Sequence, residues 1–445
     1  MNNSPLEFLA KKYGNVVKEL YIEEKDPVTG KTVRKKNVAG IFVKFPKMKS
    51  SDLVPGLPEH THPAFIINGV ERDYILLGKY KAGENGVSND ALVSLPNIMP
   101  ARSLGADQCL SRMKKAGAGI TGMTVADYGF IKLLAQKNGW VPKGNTFWGQ
   151  SHKDGTAWKV GEALTVGTER AYEGYIYKCL IAHTTAAELK PDIAPTYWQR
   201  GKLIGGISQD NAIDSTWQTG YRTLNGTGPL DWYLGKDPSN LADIIGSSME
   251  QQYGLRYVNC EMQILENNNA ADPDADLSAS SVAWKAILPN KSNDGYTLVA
   301  PGTAGTLHWT WQNGKLTLDT VEPEFDNEYR GTNFRDLAYN AAHLPFIPSI
   351  VKELGLFPTG SDDKTEGYYY QQMTKDERFP RRGGYYGGTS NAGLGCVYSG
   401  YPRGDEYTIY GCRPRSQHTS KDLRDYESAS VLLMGGVRLP WRGTA

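Results

Sequence analysis

"RRGGYYGGTSNAGLGCVYSGYPRGDEYTIYGCRPR", residues 381–415, decides how the rest of the chain is read. From Arg381 to Cys412 it holds six tyrosines and nine glycines, with no helical period and only scraps of strand alternation at Cys396–Tyr398 and Tyr407–Ile409. A core segment would carry Leu, Ile and Val, and a disordered tail would lack the aromatics. The stretch reads instead as a displayed surface. Tyrosine offers a large amphipathic contact at low entropy cost, while Ser, Gly and Asn adapt their hydrogen bonds. Loops on a rigid frame are where such residues serve recognition. The expected contacts are Tyr385, Tyr386, Thr389, Ser390, Asn391, Tyr398, Tyr401, Arg403, Asp405 and Tyr407, with "YYYQQ" (Tyr368–Gln372) extending the patch. Arg413 and Arg415 are expected to tie the loop base through salt bridges. The opposing reading is that these tyrosines cover the fold's own short strands.

The whole chain has 445 residues, 40% of them hydrophobic, enough for a real core and two or three domains. Its net charge is +1, with acidic and basic residues interleaved, so it offers no basic face for nucleic acid or an anionic membrane. No apolar run of about 18 residues spans a bilayer, so no membrane insertion is expected. The opening "MNNSPLEFLAKKYGN" lacks the basic start and apolar stretch of a secretory signal, and synthesis in a cytoplasm is expected. Five scattered cysteines, Cys109, Cys179, Cys260, Cys396 and Cys412, suit buried free thiols better than a disulfide framework or a structural zinc. His60 and His62 could form a metal pair on one strand face, but lack a third ligand and read as structural. "ADPDADLS" (271–278) is rich in oxygen ligands yet lacks the EF-hand pattern, leaving calcium open and no other cofactor expected. Neither a G-x-S-x-G elbow nor a Walker loop is present.

Along the chain, residues 1–45 read as a small N-terminal element. Leu6, Leu9, Ala10, Tyr13, Val17 and Leu20 approximate a helical period; "GKTVRKKN" (30–37) reads as a solvated turn and "VAGIFVKF" (38–45) as a strand. Such an element serves attachment or oligomerisation, or forms an edge hairpin of the main domain. Residues 46–150 and 203–425 form that main domain. It contains "NG" hairpins at Asn68–Gly69 and Asn313–Gly314, and a helix capped by Thr124 and Asp127 that ends at Gly139, its buried face marked by Tyr128, Ile131, Leu133 and Leu134. "FRDLAYNAAHLPFIPSIVKELGL" predicts a helix or two, broken at Pro345 and Pro348. Residues 151–202 look foreign, packing short strands between turns with Trp158 and Trp198 at either end, and residues 426–445 form a C-terminal segment. The fold class is α+β with an inserted small all-β module.

Several motifs keep a recognisable order: "HPAF" (62–65), "GKY" (78–80), "GITGMTVADYGFIKLLA" (119–135), "PKGNTFWG" (142–149) and the closing "GG…NAGL…YGCRPR". Together they resemble the formylglycine-generating-enzyme-like branch of the C-type lectin fold. The likeness is nearest to variable proteins of diversity-generating retroelements and to phage tail-tip receptor-binding proteins. The resemblance implies a varied ligand-binding surface just before "YGCRPR", where the tyrosine stretch lies. Asn, Tyr, Ser, Thr, Asp and Gly are reachable by adenine-directed variation of AAY codons; Lys and Trp are not, and are missing from residues 382–412, while Glu406 would have to be fixed. It further implies a virion protein at the tail, contacting a bacterial surface glycan or protein and other tail proteins, a homotrimer, and no catalysis. The oxidases of this branch hold copper on a cysteine pair, which the spacing of Cys396 and Cys412 does not reproduce. Where relatives carry a "GNVWEW"-like stretch this chain has "GSSMEQ" (246–251), which keeps Glu250 alone. The alternatives are a structural tail or baseplate component and, less favoured, an oxidase or polysaccharide-acting enzyme.

The foreign segment is similar to small chitin- and cellulose-binding modules through Trp158, Gly161, Tyr172, Gly174, Tyr177, Cys179, Pro195 and Trp198. That resemblance implies stacking platforms for sugar at Tyr172, Tyr197 and Trp198, against the plainer view that the two tryptophans are simply the small core.

Overall fold

The computed structural model describes residues 12, 14–25, 28–84, 90–208, 221–291 and 295–417. The C-terminal segment 426–445, and Leu6, Leu9, Ala10 and Tyr13 of the expected N-terminal helix, lie outside them. Short strands dominate and helices are few, a β-rich α+β arrangement. No helix among the described residues is long and apolar enough to cross a membrane.

Three larger sheets build the body. The first is antiparallel and runs Val16–Lys25, Thr32–Pro46, Tyr74–Gly78, Pro414–Ser416, Ile120–Gly122. Val17 and Leu20 therefore sit on a strand, not on a helix, and "GKTVRKKN" runs from a turn into a 15-residue strand. A run with apolar residues at Val16, Val17, Leu20 and Ile22 fits either period; the partner strand decides. The near end of this hairpin joins the body through Phe42–Pro46 paired with Tyr74–Gly78. A second sheet centres on Glu261–Ile264 and the Asn313–Gly314 hairpin, whose turn residues adopt positive φ as a two-residue turn requires. The third, of six short strands, carries the candidate site.

The helix Val125–Lys137 is wedged among these layers, and nearly all of it is buried rather than one face. Thr124 accepts from the Asp127 amide while the Asp127 carboxylate takes the Thr124 amide, closing the expected capping box. Phe130 meets Phe45, Phe65 and His62 edge-on at 5.0 to 5.7 Å. Gly129 has to be glycine, since a Cβ there would lie 2.1 Å from the Glu353 carbonyl. Of the helices expected around 334–356, only Ser349–Glu353 is α-helical, preceded by a 3-10 turn and a two-residue strand. Pro345 and Pro348 bar its extension toward the N-terminus, and Gly355 at positive φ ends it.

Segment 151–202 enters and leaves at one place, where Gln150 bridges to Gly205. Between those ends stand a three-stranded sheet, Glu169–Tyr172, Tyr175–Cys179 and Trp198–Leu203, and a two-stranded one. Its core is its own: Trp158, Leu164, Tyr172, Tyr177, Cys179 and Trp198.

Candidate functional site

The six-stranded sheet runs Tyr329–Asn333, Tyr368–Gln372, Val397–Ser399, Arg381–Arg382, Met249–Gln251, Tyr410–Gly411. Its register explains which tyrosines point where. Tyr369 pairs with Val397 and faces the core, where its hydroxyl meets that of Tyr257 and accepts from the Trp309 indole at 2.9 Å. One residue on, Tyr370 pairs with Tyr398, and Tyr398 pairs with Arg381, so this row faces the other way. The "YYYQQ" strand alternates half-buried and buried accordingly.

Over that face the loops around 384–392 and 401–410 enclose a cleft of about 490 Å³. Its walls bring together Tyr370, Tyr385, Tyr398, Tyr401, Tyr407 and Tyr410, with Asn391, Asp405, Met249 and Ile409. Tyr401 and Tyr407 are the most open, 39% and 58% exposed. The rings cluster: Tyr398 lies 5.7 Å from Tyr370, 6.0 Å from Tyr401 and 6.4 Å from Tyr410. Gly400 makes room for this, since a Cβ there would strike the Tyr329 hydroxyl at 2.1 Å. Burial pushes the Tyr370 and Tyr398 phenols up to about 12, so both are neutral donors at physiological pH.

What holds the rings outward is the backbone behind them. The Tyr401 carbonyl accepts from the Phe379 amide, that of Arg403 from Ala106 at the start of helix Ala106–Lys114, and that of Tyr407 from Ser103, at 2.7 to 3.0 Å. Arg381 is fully buried beneath, its guanidinium 3.9 Å from the Tyr410 ring and bonded to the Pro402 carbonyl at 3.0 Å. The loop base is locked by Arg413. It donates to both Glu250 oxygens and to the carbonyls of Gly78, Lys79 and Ala242, while Lys81 takes Glu250 Oε1 at 2.6 Å. Burial alone would raise the Glu250 carboxyl, but Arg413 and Lys81 outweigh it and hold it below the usual range. Arg415 pairs with Asp127 at 3.0 Å. Both arginines thus serve as loop anchors, Arg413 together with Lys81 on Glu250 of "GSSMEQ" and Arg415 on Asp127.

Of the ten contacts expected from the sequence, Tyr385, Asn391, Tyr398, Tyr401, Asp405 and Tyr407 line the cleft. Tyr386 does not: it is buried with Met249, Ile409 and Tyr410, edge-on to Tyr221 at 5.1 Å. Arg403 does not either, because Glu377 takes its guanidinium with two bonds of 2.7 Å and Asp107 lies at 3.3 Å. Thr389 holds the turn in a positive-φ conformation, and Ser390 faces a neighbouring polar groove. Tyr410, Met249 and Ile409 were missed. Only Tyr410 carried a signal, as the last tyrosine of the stretch.

The other candidates resolve simply. Tyr172 and Trp198 are 3% exposed and Trp158 is 1% exposed, so they are core and not sugar platforms; Tyr197 is half-buried against His183. His62 accepts from the Ala64 amide and faces the Glu353 carbonyl, while His60 bonds the Glu353 carboxylate at 2.6 Å, a structural set. The Asp272 carboxylate accepts from the Asp274 amide and from Asn68, and that of Asp276 accepts from the Ser278 amide, capping local turns. All five cysteines are free and buried. Cys396 reaches the cleft floor, where burial pushes its thiol up to about 12, far from a reactive thiolate. Among the described residues no three His, Cys, Asp or Glu side chains converge as metal ligands. No protein-family model matches the chain, and no curated protein matches it in sequence.

Proposed function

We propose that this chain is a receptor-binding protein that recognises a bacterial surface ligand through the tyrosine cleft, by binding and not by catalysis. One observation carries the proposal: six phenols, from the strand Tyr368–Gln372 and the stretch 385–410, converge on one concave face while hydrogen bonds fix the backbone behind them. A preorganised aromatic surface loses little entropy on binding, and buried tyrosines are frequent hot spots of interfaces. The resemblance in sequence supports the finer reading. On it, the body is a C-type-lectin-like domain of the formylglycine-generating-enzyme-like branch, the loops before "YGCRPR" are its variable surface, and segment 151–202 is an inserted module. The setting is then a phage tail: a virion protein, made in the host cytoplasm, attached through its N-terminal element to other tail proteins. A homotrimer multiplies a weak single-site affinity by avidity.

The test is adsorption to host cells. Replacing Tyr385, Tyr401 and Tyr407 together by Ala is expected to abolish binding with the melting temperature unchanged. Undiminished adsorption by a folded triple variant sinks the proposal.

A further inference from the structure

A second depression adjoins the tyrosine cleft, and the two are divided by a single turn. This groove of about 380 Å³ is lined by His152, Lys153, Asn333, Asp336, Glu366 and Ser390 among others. Ser390 is exposed on the groove side; the next residue, Asn391, is on the cleft side and donates to the Tyr370 hydroxyl at 3.0 Å. We infer that the ligand is an uncharged oligosaccharide, laid across the turn Thr389–Asn391 with one sugar ring in the cleft and the next in the groove. This deepens the receptor-binding reading and rests on it.

Charge is the first argument. Arg381 lies behind the cleft with its guanidinium bonded to main-chain carbonyls and no carboxylate ion pair among the described residues, so the cleft floor is unfavourable to a cation. Asp405 on the wall is unfavourable to an anion. In the groove Lys153 pairs with Glu366 and Arg335 reaches the same carboxylate at 3.6 Å, while Asp336 takes the Asn333 amide, so two cations stand against two carboxylates and the charges balance. A ligand without charge suits both.

Shape and chemistry are the second. A pyranose has an apolar C–H face and a rim of hydroxyls. The cleft answers with phenol faces, Met249 and Ile409 for the first, and with phenol hydroxyls, Asn391 and Asp405 for the second. The groove has a mostly polar rim of donors and acceptors of both kinds, with Phe334 as an apolar element, which suits a hydroxylated ring with a C–H face. A folded protein partner would engage the convex rim; two adjoining concavities fit a narrow chain. The sugar site thus belongs to the body, whereas Tyr172 and Trp198, two of the module's three expected platforms, are turned inward.

The experiment uses the full chain on an array of purified bacterial surface polysaccharides and their mono-, di- and tetrasaccharide fragments, alongside binding to host cells. Binding to a polysaccharide is expected, with the tetrasaccharide held at least about tenfold tighter than the monosaccharide. Ser390→Trp, which crowds the groove side of the turn, is expected to bring the tetrasaccharide to the monosaccharide level and leave the monosaccharide unchanged. Tyr398→Ala is expected to weaken both, and circular dichroism checks that each variant is folded. Equal affinity for all lengths overturns the two-site inference. Cell binding that survives stripping of surface polysaccharide but not protease treatment overturns the sugar and leaves a protein receptor. Absence of any binding to host cells or polysaccharide by the unaltered chain overturns the receptor reading itself.

Discussion

Two aromatic regions of this protein are nearly alike in composition and opposite in use. In the inserted module Trp158, Tyr172, Tyr177 and Trp198 turn inward; in the cleft Tyr398, Tyr401 and Tyr407 turn outward. The difference lies in what else is available. The module has Leu164 as the one buried large aliphatic of its cluster, so its rings must do the work of a core. The cleft rests on a body whose main cluster is rich in Leu, Ile, Val and Phe and includes Trp309. There Tyr401 and Tyr407 are not needed as core and face solvent. Aromatic content alone therefore does not mark a binding site. It has to be weighed against the aliphatic residues of the same folding unit.

Perturbing each region tests that contrast. The largest effect is expected from Glu250→Ala, which strands Lys81 and Arg413 as buried cations; loss of a partner in such a network costs about 3–5 kcal/mol. Urea unfolding should show it, and a loss below about 1 kcal/mol would mean that the loop base is held by something else. Trp158→Ala should cost about 3–5 kcal/mol as well, but locally. A calorimetric transition of the module should disappear while the cleft keeps its ligand. Loss of both together would make the two regions one unit.

Smaller still, Tyr407→Ala should shift stability by no more than about 0.5 kcal/mol while weakening receptor binding about tenfold or more. A melting temperature that drops with it would turn this ring into packing. The smallest change is in titration. Burial disfavours the phenolate, so the folded protein keeps the Tyr398 proton above the ordinary 10 and up to about 12, whereas the unfolded chain releases it near 10. The stability from this group is present below pH 10 and lost as pH rises toward 12. In spectrophotometric titration of the folded protein, Tyr398→Phe should remove a phenol that ionises near 12; removal of one that ionises near 10 would place the ring in open solvent.

Much of this was legible in the chain. The asparagine–glycine turns, the Thr124 capping box, the two anchoring arginines and six cleft residues follow from local chemistry or from the character of one stretch. What escaped depends on partners far away. Tyr385 and Tyr386 are neighbours in a loop with no fixed alternation, and only Tyr221 and Met249 decide that the second is buried. Arg403 looks like a contact until Glu377 and Asp107 are placed beside it. Val17 and Leu20 fit a helical period but yield to a partner strand. In the module, a motif that implies exposed platforms also describes a small core, and lack of aliphatics settles the matter for Tyr172 and Trp198.

The clamp of Arg413 on Glu250 closes just downstream of residues 401–410 and spends none of its bonds on side chains of that loop. The loop is tethered chiefly through its main chain, which any sequence possesses. Apart from Arg403, held by Glu377 and Asp107, and the buried Ile409 and Tyr410, the mount does not depend on the loop's side chains, so exchanging Tyr401 or Tyr407 is expected to alter the face it offers without altering how it folds.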